Sequence, residues 1–186
     1  NKFKNFEVVE TGWPKLDIYG KELHKYDADA NELKELHQAD KIILFAPTFS
    51  PSLTCAPYLE EQIQELATNK SYLILIKFHD LMSEELINKY KNVAKQNDNV
   101  LFIEERNIIK YLLISDLMIS DTSSVVYEFL LLDKPVITYK NNSKEFKWDN
   151  SLTYDKLSEK VNLNLSEDPF KNQRREIFNE YHPFND

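Results

Sequence analysis

Residues 115–139, SDLMISDTSSVVYEFLLLDKPVITY, contain the signals of a strand, a polar turn, a helix and a second strand. Residues 117–119 form an apolar run that is too short for a helix, and residues 121–124 are of the types that start helices. An apolar periodicity follows and ends before Pro135, because proline disfavours the helical state in the residue that precedes it. Val136–Tyr139 is β-branched and aromatic, so it predicts a buried strand and completes a βαβ unit.

The polar turn at residues 121–124 has two interpretations. It stands between the carboxyl end of a predicted strand and the amino end of a helix, where free amide groups favour an anion. No Glu or Gln stands three residues after Thr122, Ser123 or Ser124, so no capping box completes the helix end. Hydroxyls and amides then remain for a ligand phosphate. In the alternative, Asp121 or Thr122 simply caps the helix, as these residue types commonly do.

Composition limits the classes of function. A chain of 186 residues with 42% hydrophobic residues predicts one globular domain. Gly12 and Gly20 are the only glycines, which excludes a glycine-rich phosphate loop. The net charge of −8 argues against nucleic acid as a partner, and the single cysteine, Cys55, predicts a buried thiol. No apolar run approaches the ~18 residues of a membrane span.

Strand-like and helix-like segments alternate along the chain. Further strands are predicted at residues 41–47, 72–78 and 100–103, and helices at residues 58–67, 86–93 and 108–114. This alternation predicts an α/β fold, a Rossmann-like parallel sheet with helices on both faces and right-handed crossovers. Residues 20–40 are polar and charged, and we interpret them as a surface connection without chemistry.

In such sheets ligands bind outside the carboxyl ends of the strands. Four predicted strands bring polar groups to that edge, namely Thr48 after the first, Lys77 and His79 after the second, Arg106 after the third and the turn 121–124 after the fourth. A cation, an imidazole, a guanidinium and a helix amino end are the groups that bind a pyrophosphate. The sequence therefore predicts an anion site at this edge.

Each of these side chains also has a structural interpretation. Lys77 is a solvated strand end in that view, and His79 is held in its turn by Asp80. Arg106 pairs with the two glutamates that precede it in the sequence. These alternatives stay open on the sequence alone.

Two carboxylates and two histidines are further candidates for chemistry. Asp116 and Glu128 do not form a predicted catalytic pair, because Asp116 precedes its strand and so lies at the other edge of the sheet. Glu128, on the helix behind the turn, is placed to face a ribose. His24 and His37 have no partners at metal-ligand spacing, so we expect surface histidines, no metal site and no cofactor.

Five short motifs carry a resemblance to a known family. They are GWPKLD at residues 12–17, APTF at 46–49, KFH at 77–79, SDTSSV at 120–125 and DKPV at 133–136. In order and spacing they resemble the CDP-glycerol glycerophosphotransferase family of teichoic acid synthesis, over residues 11–139. The resemblance implies the second Rossmann-like half of a GT-B enzyme, which binds the nucleotide donor.

The resemblance implies roles for individual residues. His79 matches the family histidine that contacts the donor pyrophosphate and is needed for transfer, so it is the expected catalytic residue. The expected pyrophosphate-binding residues are Lys77, Asp121, Thr122, Ser123 and Ser124, and the expected donor or cleft residues are Thr48, Arg106 and Glu128. The sequence departs from the family pattern at three positions. Asp80 stands where the family usually has proline, Ser50 stands where it usually has arginine, and Thr122 stands where it commonly has tyrosine.

The implied reaction transfers an alditol phosphate from CDP-glycerol, or a similar CDP-alditol, to a membrane-linked polymer acceptor. The resemblance implies a missing amino-terminal domain that supplies the base, and a location in the cytoplasm at the inner face of the membrane. One alternative is another GT-B enzyme, a glycosyltransferase or a UDP-sugar 2-epimerase. A second is a non-catalytic nucleotide-binding module, although the receiver type fails because residues 46–48 lack the acids of a Mg²⁺ site.

Three segments follow from this interpretation. Residues 1–40 are expected to be a linker, residues 41–150 the donor-binding domain, and residues 151–186 helices that cross to the missing domain. The chain begins at Asn1 rather than Met, and we expect a piece of a longer protein.

The predicted carboxyl-terminal part contains further candidates for contact. Residues 141–150 are predicted as a polar loop whose aromatic residues, Phe146 and Trp148, lie over a base or against the missing domain. The cationic residues expected at the contact with that domain are Arg174, Arg175 and His182.

Overall fold

A six-stranded parallel sheet forms the centre of the computed structural model, in which residues 23–143 and 146–181 are described, with side chains to Ile177. The strands are β1 (Lys41–Phe45), β2 (Tyr72–Ile76), β3 (Val100–Phe102), β4 (Leu117–Ser120), β5 (Val136–Tyr139) and β6 (Asp149–Ser151). They lie in the order β3-β2-β1-β4-β5-β6, and each neighbouring pair is parallel. The order in which successive strands are added reverses between β1 and β4, which is the point where such sheets bind ligands.

Helices cover both faces of the sheet. They are α1 (Asp27–His37), α2 (Ala56–Leu66), α3 (Glu84–Gln96), α4 (Ile109–Ile114), α5 (Val125–Leu130), α6 (Leu157–Ser166) and α7 (Lys171–Tyr181). Residues of α1, α4, α5 and α7 pack in one hydrophobic cluster, and residues of α2, α3 and α6 pack in the other. The predicted Rossmann-like fold class is confirmed.

The central strands are apolar at consecutive positions because both of their faces are covered. In β1, Ile42 and Leu44 join one cluster, whereas Ile43 and Phe45 join the other, and all four are fully buried. Burial of each such side chain contributes roughly 1.5–3 kcal/mol. A rigid central sheet therefore fixes the positions from which the loops at its carboxyl edge begin.

Helix α1 corrects the prediction of a surface connection at residues 20–40. Ala30 and Leu33 lie half-buried against the core, and Lys110 of α4 forms an ion pair with Asp29. The helix has no fully buried residue. Its few apolar residues stand among charged ones, so the sequence shows only a weak helical periodicity. Tertiary packing, rather than composition, determines the helix here.

Strand β6 corrects the prediction of a polar loop at residues 141–150. The strand has the sequence DNS, and Asp149 accepts hydrogen bonds from Lys160 at 2.7 Å and from Asn164 at 2.9 Å. A three-residue polar strand at a sheet edge carries no apolar signal to predict it from. The expectation for Trp148 was also wrong, because it is 3% exposed and its Nε1 donates to Thr138 Oγ1 at 2.8 Å.

The last two described helices pack on the same sheet as the rest of the chain. Leu157 and Val161 of α6 lie in one core cluster and Ile177 of α7 lies in the other. Arg174 was expected to contact a missing domain, but it is 1% exposed and pairs with Asp133 and Asp168 inside the domain. Such a buried guanidinium is a structural element of this domain.

Of the other residues predicted near the termini, only Arg175 lies within the described part of the chain. Arg175 is more exposed than Arg174 and pairs with Asp133 at 3.2 Å. His182, the GWPKLD motif and residues 1–22 lie outside the described residues. In the described part of the chain, no helix combines the length and the apolar character that crossing a membrane requires.

Candidate functional site

A cavity of about 260 Å³ lies at the carboxyl edge of the sheet, where the loops after β1, β2, β3 and β4 meet. The predicted site residues that line it are Lys77, His79, Arg106, Ser123, Ser124 and Glu128. Thr48, Asp121 and Thr122 lie outside its lining. The topology thus brings together residues that are up to 82 positions apart in the sequence, since both Ala46 and Glu128 line the cavity.

Lys77 is the first residue after β2, and its backbone amide extends the pairing with β1 by donating to Phe45 O at 2.9 Å. Its side chain is 6% exposed and Nζ donates to Phe78 O at 2.8 Å, so it is not a solvated strand end. Burial lowers the pKa of the ammonium, while the charges of Asp80 and Glu105 act in the opposite direction. A bound anion would stabilise the charged form.

His79 is exposed at the rim of the cavity and is held by contacts other than the expected one with Asp80. Its Nδ1 accepts the amide N–H of Leu81 at 3.1 Å, and its ring lies 4.6 Å from the ring of Phe49. With Nδ1 as acceptor, neutral imidazole carries its proton on Nε2. This Nε2–H group can donate to a phosphate oxygen.

Arg106 lies at the outer rim and its side chain is 89% exposed. Its Nε pairs with Asp80 Oδ2 at 3.3 Å, rather than with the preceding glutamates. Those glutamates have other partners, because Lys91 binds Glu104 and Tyr111 donates to Glu105 at 2.8 Å. The guanidinium and Asp80 therefore add opposite charges to the same side of the cavity.

The turn between β4 and α5 places Ser123 and Ser124 in the cavity lining. Neither alternative cap, Asp121 or Thr122, occupies the position before α5, which belongs to Ser124, and its side chain forms no capping hydrogen bond. The side-chain hydroxyls of the two serines are thus placed where a ligand anion can accept from them. Helix α5 has only six residues, so the serine hydroxyls, rather than a helix dipole, define this wall.

Asp121 organises the loops behind the cavity. It is fully buried, and its two carboxylate oxygens accept the backbone amides of Thr48 and Cys55, each at 2.8 Å. Burial raises the pKa of this carboxyl, and the two amide hydrogen bonds oppose that shift. Asp121 therefore fastens the loop after β1 to the turn after β4, a role that the sequence pattern did not reveal.

Asn141 is a second organising residue that the sequence analysis missed. Its Nδ2 donates to Asp121 O at 2.7 Å, and the next amide, of Asn142, donates to Thr122 Oγ1 at 3.3 Å. Lys140, with a φ of 49°, turns the chain from β5 toward this contact. An asparagine in a polar segment gives no signal of such a role, so only the tertiary structure reveals it.

The other predictions near the sheet edges have clear outcomes. Cys55 is a buried free thiol, as expected, and burial raises its pKa. Glu128 is 5% exposed and lines the cavity. Asp116 lies at the amino edge, as its place before β4 predicted, and there it accepts the amide of Ile42 at 2.8 Å and pairs with Lys34 at 2.9 Å.

The two remaining histidines make structural contacts. His24 pairs with Asp27 at 3.0 Å, and His37 Nδ1 donates to Asp98 O at 2.9 Å. Among the residues that the structure describes, no three His, Cys, Asp or Glu side chains come together as a metal-binding group.

Comparison with known proteins gives the family. The family model described as CDP-Glycerol:Poly(glycerophosphate) glycerophosphotransferase matches residues 2–169. The teichoic acid glycerol-phosphate primase of Bacillus subtilis (strain 168) is 29% identical over 159 residues, which cover 83% of this chain and 39% of that protein. The primase of Bacillus spizizenii (strain ATCC 23059 / NRRL B-14472 / W23) is 34% identical over 144 residues, which cover 73% of this chain and 34% of that protein.

Solved structures support the fold. A variant of the wall teichoic acid polymerase TagF, soaked with CDPG, matches with a TM-score of 0.67 at 18% identity, over 98% of this chain and 46% of that one. Staphylococcus aureus MnaA with UDP matches with a TM-score of 0.65 at 14% identity, over 94% of this chain and 50% of that one. These likenesses concern the fold, which is one Rossmann-like half of a GT-B protein.

The chain spans about a third to two-fifths of the length of these primases. Its family match nevertheless extends over nearly all of its described strands and helices. The chain therefore belongs to the CDP-glycerol:poly(glycerophosphate) glycerophosphotransferase family.

Proposed function

We propose that this chain is the donor-binding part of a transferase that moves an alditol phosphate from a CDP-alditol to a polymer acceptor in teichoic acid synthesis. The observation that carries this proposal is the meeting of Lys77, His79, Ser123 and Ser124 around one cavity, in a chain of this family. The chain contributes an ammonium, an imidazole N–H and two hydroxyls to a pyrophosphate.

In this arrangement the pyrophosphate lies between the loop after β2 and the turn after β4. Lys77 and His79 donate to it from one side, and the serine hydroxyls donate from the other. Glu128, on α5, is placed for a ribose hydroxyl, because carboxylates accept the hydrogen bonds that hydroxyls donate. Arg106 is exposed at the rim and contributes long-range attraction to the anion.

The proposed chemistry is displacement at phosphorus. An acceptor hydroxyl oxygen attacks the phosphorus of the alditol phosphate, a new P–O bond forms, and the bond to the oxygen bridging the two phosphates breaks. CMP leaves with that electron pair, and the proton of the acceptor passes to a base outside this chain. His79 Nε2–H and Lys77 stabilise the charge that develops on the phosphates, which is the main way enzymes assist such transfers.

The cavity supports a site that is completed by another domain. Its volume of about 260 Å³ lies just below the ~300–1,000 Å³ of ordinary ligand pockets. We therefore propose an amino-terminal domain that closes over the donor and supplies the base. We also propose an acceptor linked to the membrane, and a location at the cytoplasmic face, where such an acceptor is reached.

The test is calorimetric titration of the 186-residue chain with CDP-glycerol, CMP and UDP-N-acetylglucosamine. We expect CDP-glycerol to bind, His79→Ala to weaken it at least 10-fold, and UDP-N-acetylglucosamine not to bind. His37→Ala is the matched control, because it removes a histidine from the opposite edge of the sheet. Binding of the UDP-sugar alone favours the GT-B alternative, for which the MnaA likeness in fold is the supporting observation. Absence of any binding contradicts the proposal.

A further inference from the structure

Phe49 has a large apolar side chain that is not part of the hydrophobic core. The residues that form the two hydrophobic clusters do not include it, and it is 38% exposed in the loop after β1. Its ring centroid lies 4.6 Å from that of His79, with 33° between the ring planes. An exposed phenylalanine whose ring lies against an imidazole at the rim of a cavity, at a tilt of 33°, points to a role at that cavity.

The positions of both rings are set by the sheet. The amide of Thr48, the neighbour of Phe49, donates to buried Asp121 at 2.8 Å. His79 follows β2 by three residues, and its carbonyl accepts the amide of Met82 at 2.9 Å. The two loops therefore leave adjacent strands, and each is held by a backbone hydrogen bond, which fixes the positions from which the two rings extend.

The imidazole of His79 has few restraints apart from this pair of contacts. It is exposed, so core packing does not set its rotamer. The Leu81 amide donates to Nδ1 at 3.1 Å, and this bond requires the tautomer with the proton on Nε2. If the ring rotates away, the bond breaks and an exposed imidazole exchanges freely between its tautomers.

We propose that Phe49 is a positioning residue that holds the imidazole of His79 against the Leu81 amide, so that the Nε2–H group is presented to the cavity. Its ring lies 4.6 Å from the imidazole and restricts a rotation that would carry Nδ1 away from the Leu81 amide. The link from this geometry to donor binding rests on the proposed function, but the tautomer itself does not.

The first test reads the tautomer directly. Long-range ¹H–¹⁵N spectra of the ¹⁵N-labelled chain identify which ring nitrogen is protonated, and His79→Gln assigns the signal among the four histidines. We expect His79 to be Nε2–H in the wild type and in Phe49→Tyr, and a mixture of tautomers in Phe49→Leu. His37 is the internal reference, because its Nδ1 donates to a carbonyl and should remain protonated throughout. A Phe49→Leu spectrum equal to the wild type overturns the proposal.

The second test reads the consequence for the ligand. Phe49→Leu should weaken CDP-glycerol binding about 3- to 10-fold, and Phe49→Tyr should retain the wild-type affinity, because a close pair of aromatic rings contributes in that range. Tyr58→Leu is the control, since Tyr58 is 60% exposed at the same edge and stacks on Tyr154 instead. Equal thermal unfolding of the variants excludes misfolding as the cause.

The two tests separate the inference from the proposed function. Failure of the wild type to bind CDP-glycerol overturns the proposed function, while the spectra still decide the role of Phe49. A tautomer mixture in Phe49→Leu with unchanged affinity upholds the positioning of His79 and overturns its link to the donor.

Discussion

A cavity of about 590 Å³ lies at the amino edge of the sheet, and one of about 260 Å³ lies at the carboxyl edge. The larger cavity is lined by charged groups that bind one another. Lys70 donates to Asp98 at 2.7 Å and to Asn99 at 2.9 Å, and His37 donates to Asp98 O. Size alone therefore does not identify the ligand site, because the cation and the imidazole of the larger cavity already donate to Asp98 and Asn99 of the same cavity.

The two histidines show the difference most directly. At the amino edge the Nδ1 of His37 donates to a carbonyl, so the chain itself uses the imidazole as a donor. At the carboxyl edge the Nδ1 of His79 accepts an amide, which leaves Nε2–H for a ligand. If the proposed function holds, the amino edge stabilises the fold and the carboxyl edge binds the donor. Substitutions at the amino edge should then change the free energy of unfolding, and substitutions at the carboxyl edge should change the affinity for the donor.

The largest expected effect comes from Arg174 near the amino edge. Its guanidinium is 1% exposed and binds Asp133 and Asp168. Arg174→Ala should lower the free energy of unfolding by about 3–5 kcal/mol, because it removes a buried side chain together with its charge-assisted hydrogen bonds to Asp133 and Asp168. Urea denaturation measures this change, and donor affinity of the folded protein should not change.

Arg175 provides the control for that prediction. It pairs with the same Asp133, but its side chain is 57% exposed. Arg175→Ala should cost less than about 1 kcal/mol, as is usual for surface ion pairs. Equal costs for the two arginines would contradict the assignment of Arg174 to the buried framework.

The next largest effect is the contribution of Lys134 to the pH dependence of the free energy of unfolding. Burial lowers its pKa to about 8, although Nζ donates to Leu112 O and Leu113 O. Between that pKa and the ordinary value of 10.5 the unfolded chain binds more protons than the folded chain, so stability rises with pH in this window. Relative to Lys134→Met, the wild type should gain up to about 3 kcal/mol between pH 7 and pH 10.

Denaturation at pH 7 and pH 10 measures that difference. Burial also raises the pKa of several tyrosines, including that of Tyr111 to about 12, but this contribution is shared by both proteins and cancels. A difference in stability that does not vary with pH would contradict a lowered pKa for Lys134.

At the carboxyl edge the serines give the largest expected effect on binding. Ser123→Ala with Ser124→Ala removes two hydroxyls from the cavity wall and should weaken CDP-glycerol binding about 10- to 100-fold, at about 1.5–3 kcal/mol for a hydrogen bond to a charged group. The free energy of unfolding should change by less than about 0.5 kcal/mol. Ser50→Ala with Ser52→Ala is the matched control, because these hydroxyls contact each other in the loop after β1.

The sequence predicts the strands that form the carboxyl edge better than it predicts the contacts between the loops at that edge. The apolar runs that became β1, β2 and β5 are continuous, and polar residues directly after parallel strands must meet at one edge. Strand β6 and helix α1 were missed because each buries too little apolar surface to leave a pattern.

The loops around the cavity are held by contacts between segments that are distant in the sequence. Asp121 binds amides 73 and 66 positions away, and Asn141 binds the carbonyl of Asp121. Motif and periodicity describe neighbours in the chain, so they could not predict the contacts of Asp121 with the loop after β1. The pairing of Arg106 with Asp80 was missed for the same reason, since the two come from different loops.

The smallest expected effect concerns Asp80, which lines the cavity beside His79. Its carboxylate pairs with Arg106 and raises the pKa of Lys77, so it is a negative charge among the cations that would bind the donor. Asp80→Asn should strengthen CDP-glycerol binding about 2- to 5-fold at low salt, and the gain should shrink at high salt because the charges are exposed. Asp98→Asn at the amino edge makes the same change of charge beside Lys70 and should leave affinity unaltered. If both substitutions strengthen binding equally, the attraction comes from net charge, and the distinction between the two edges does not hold for electrostatics.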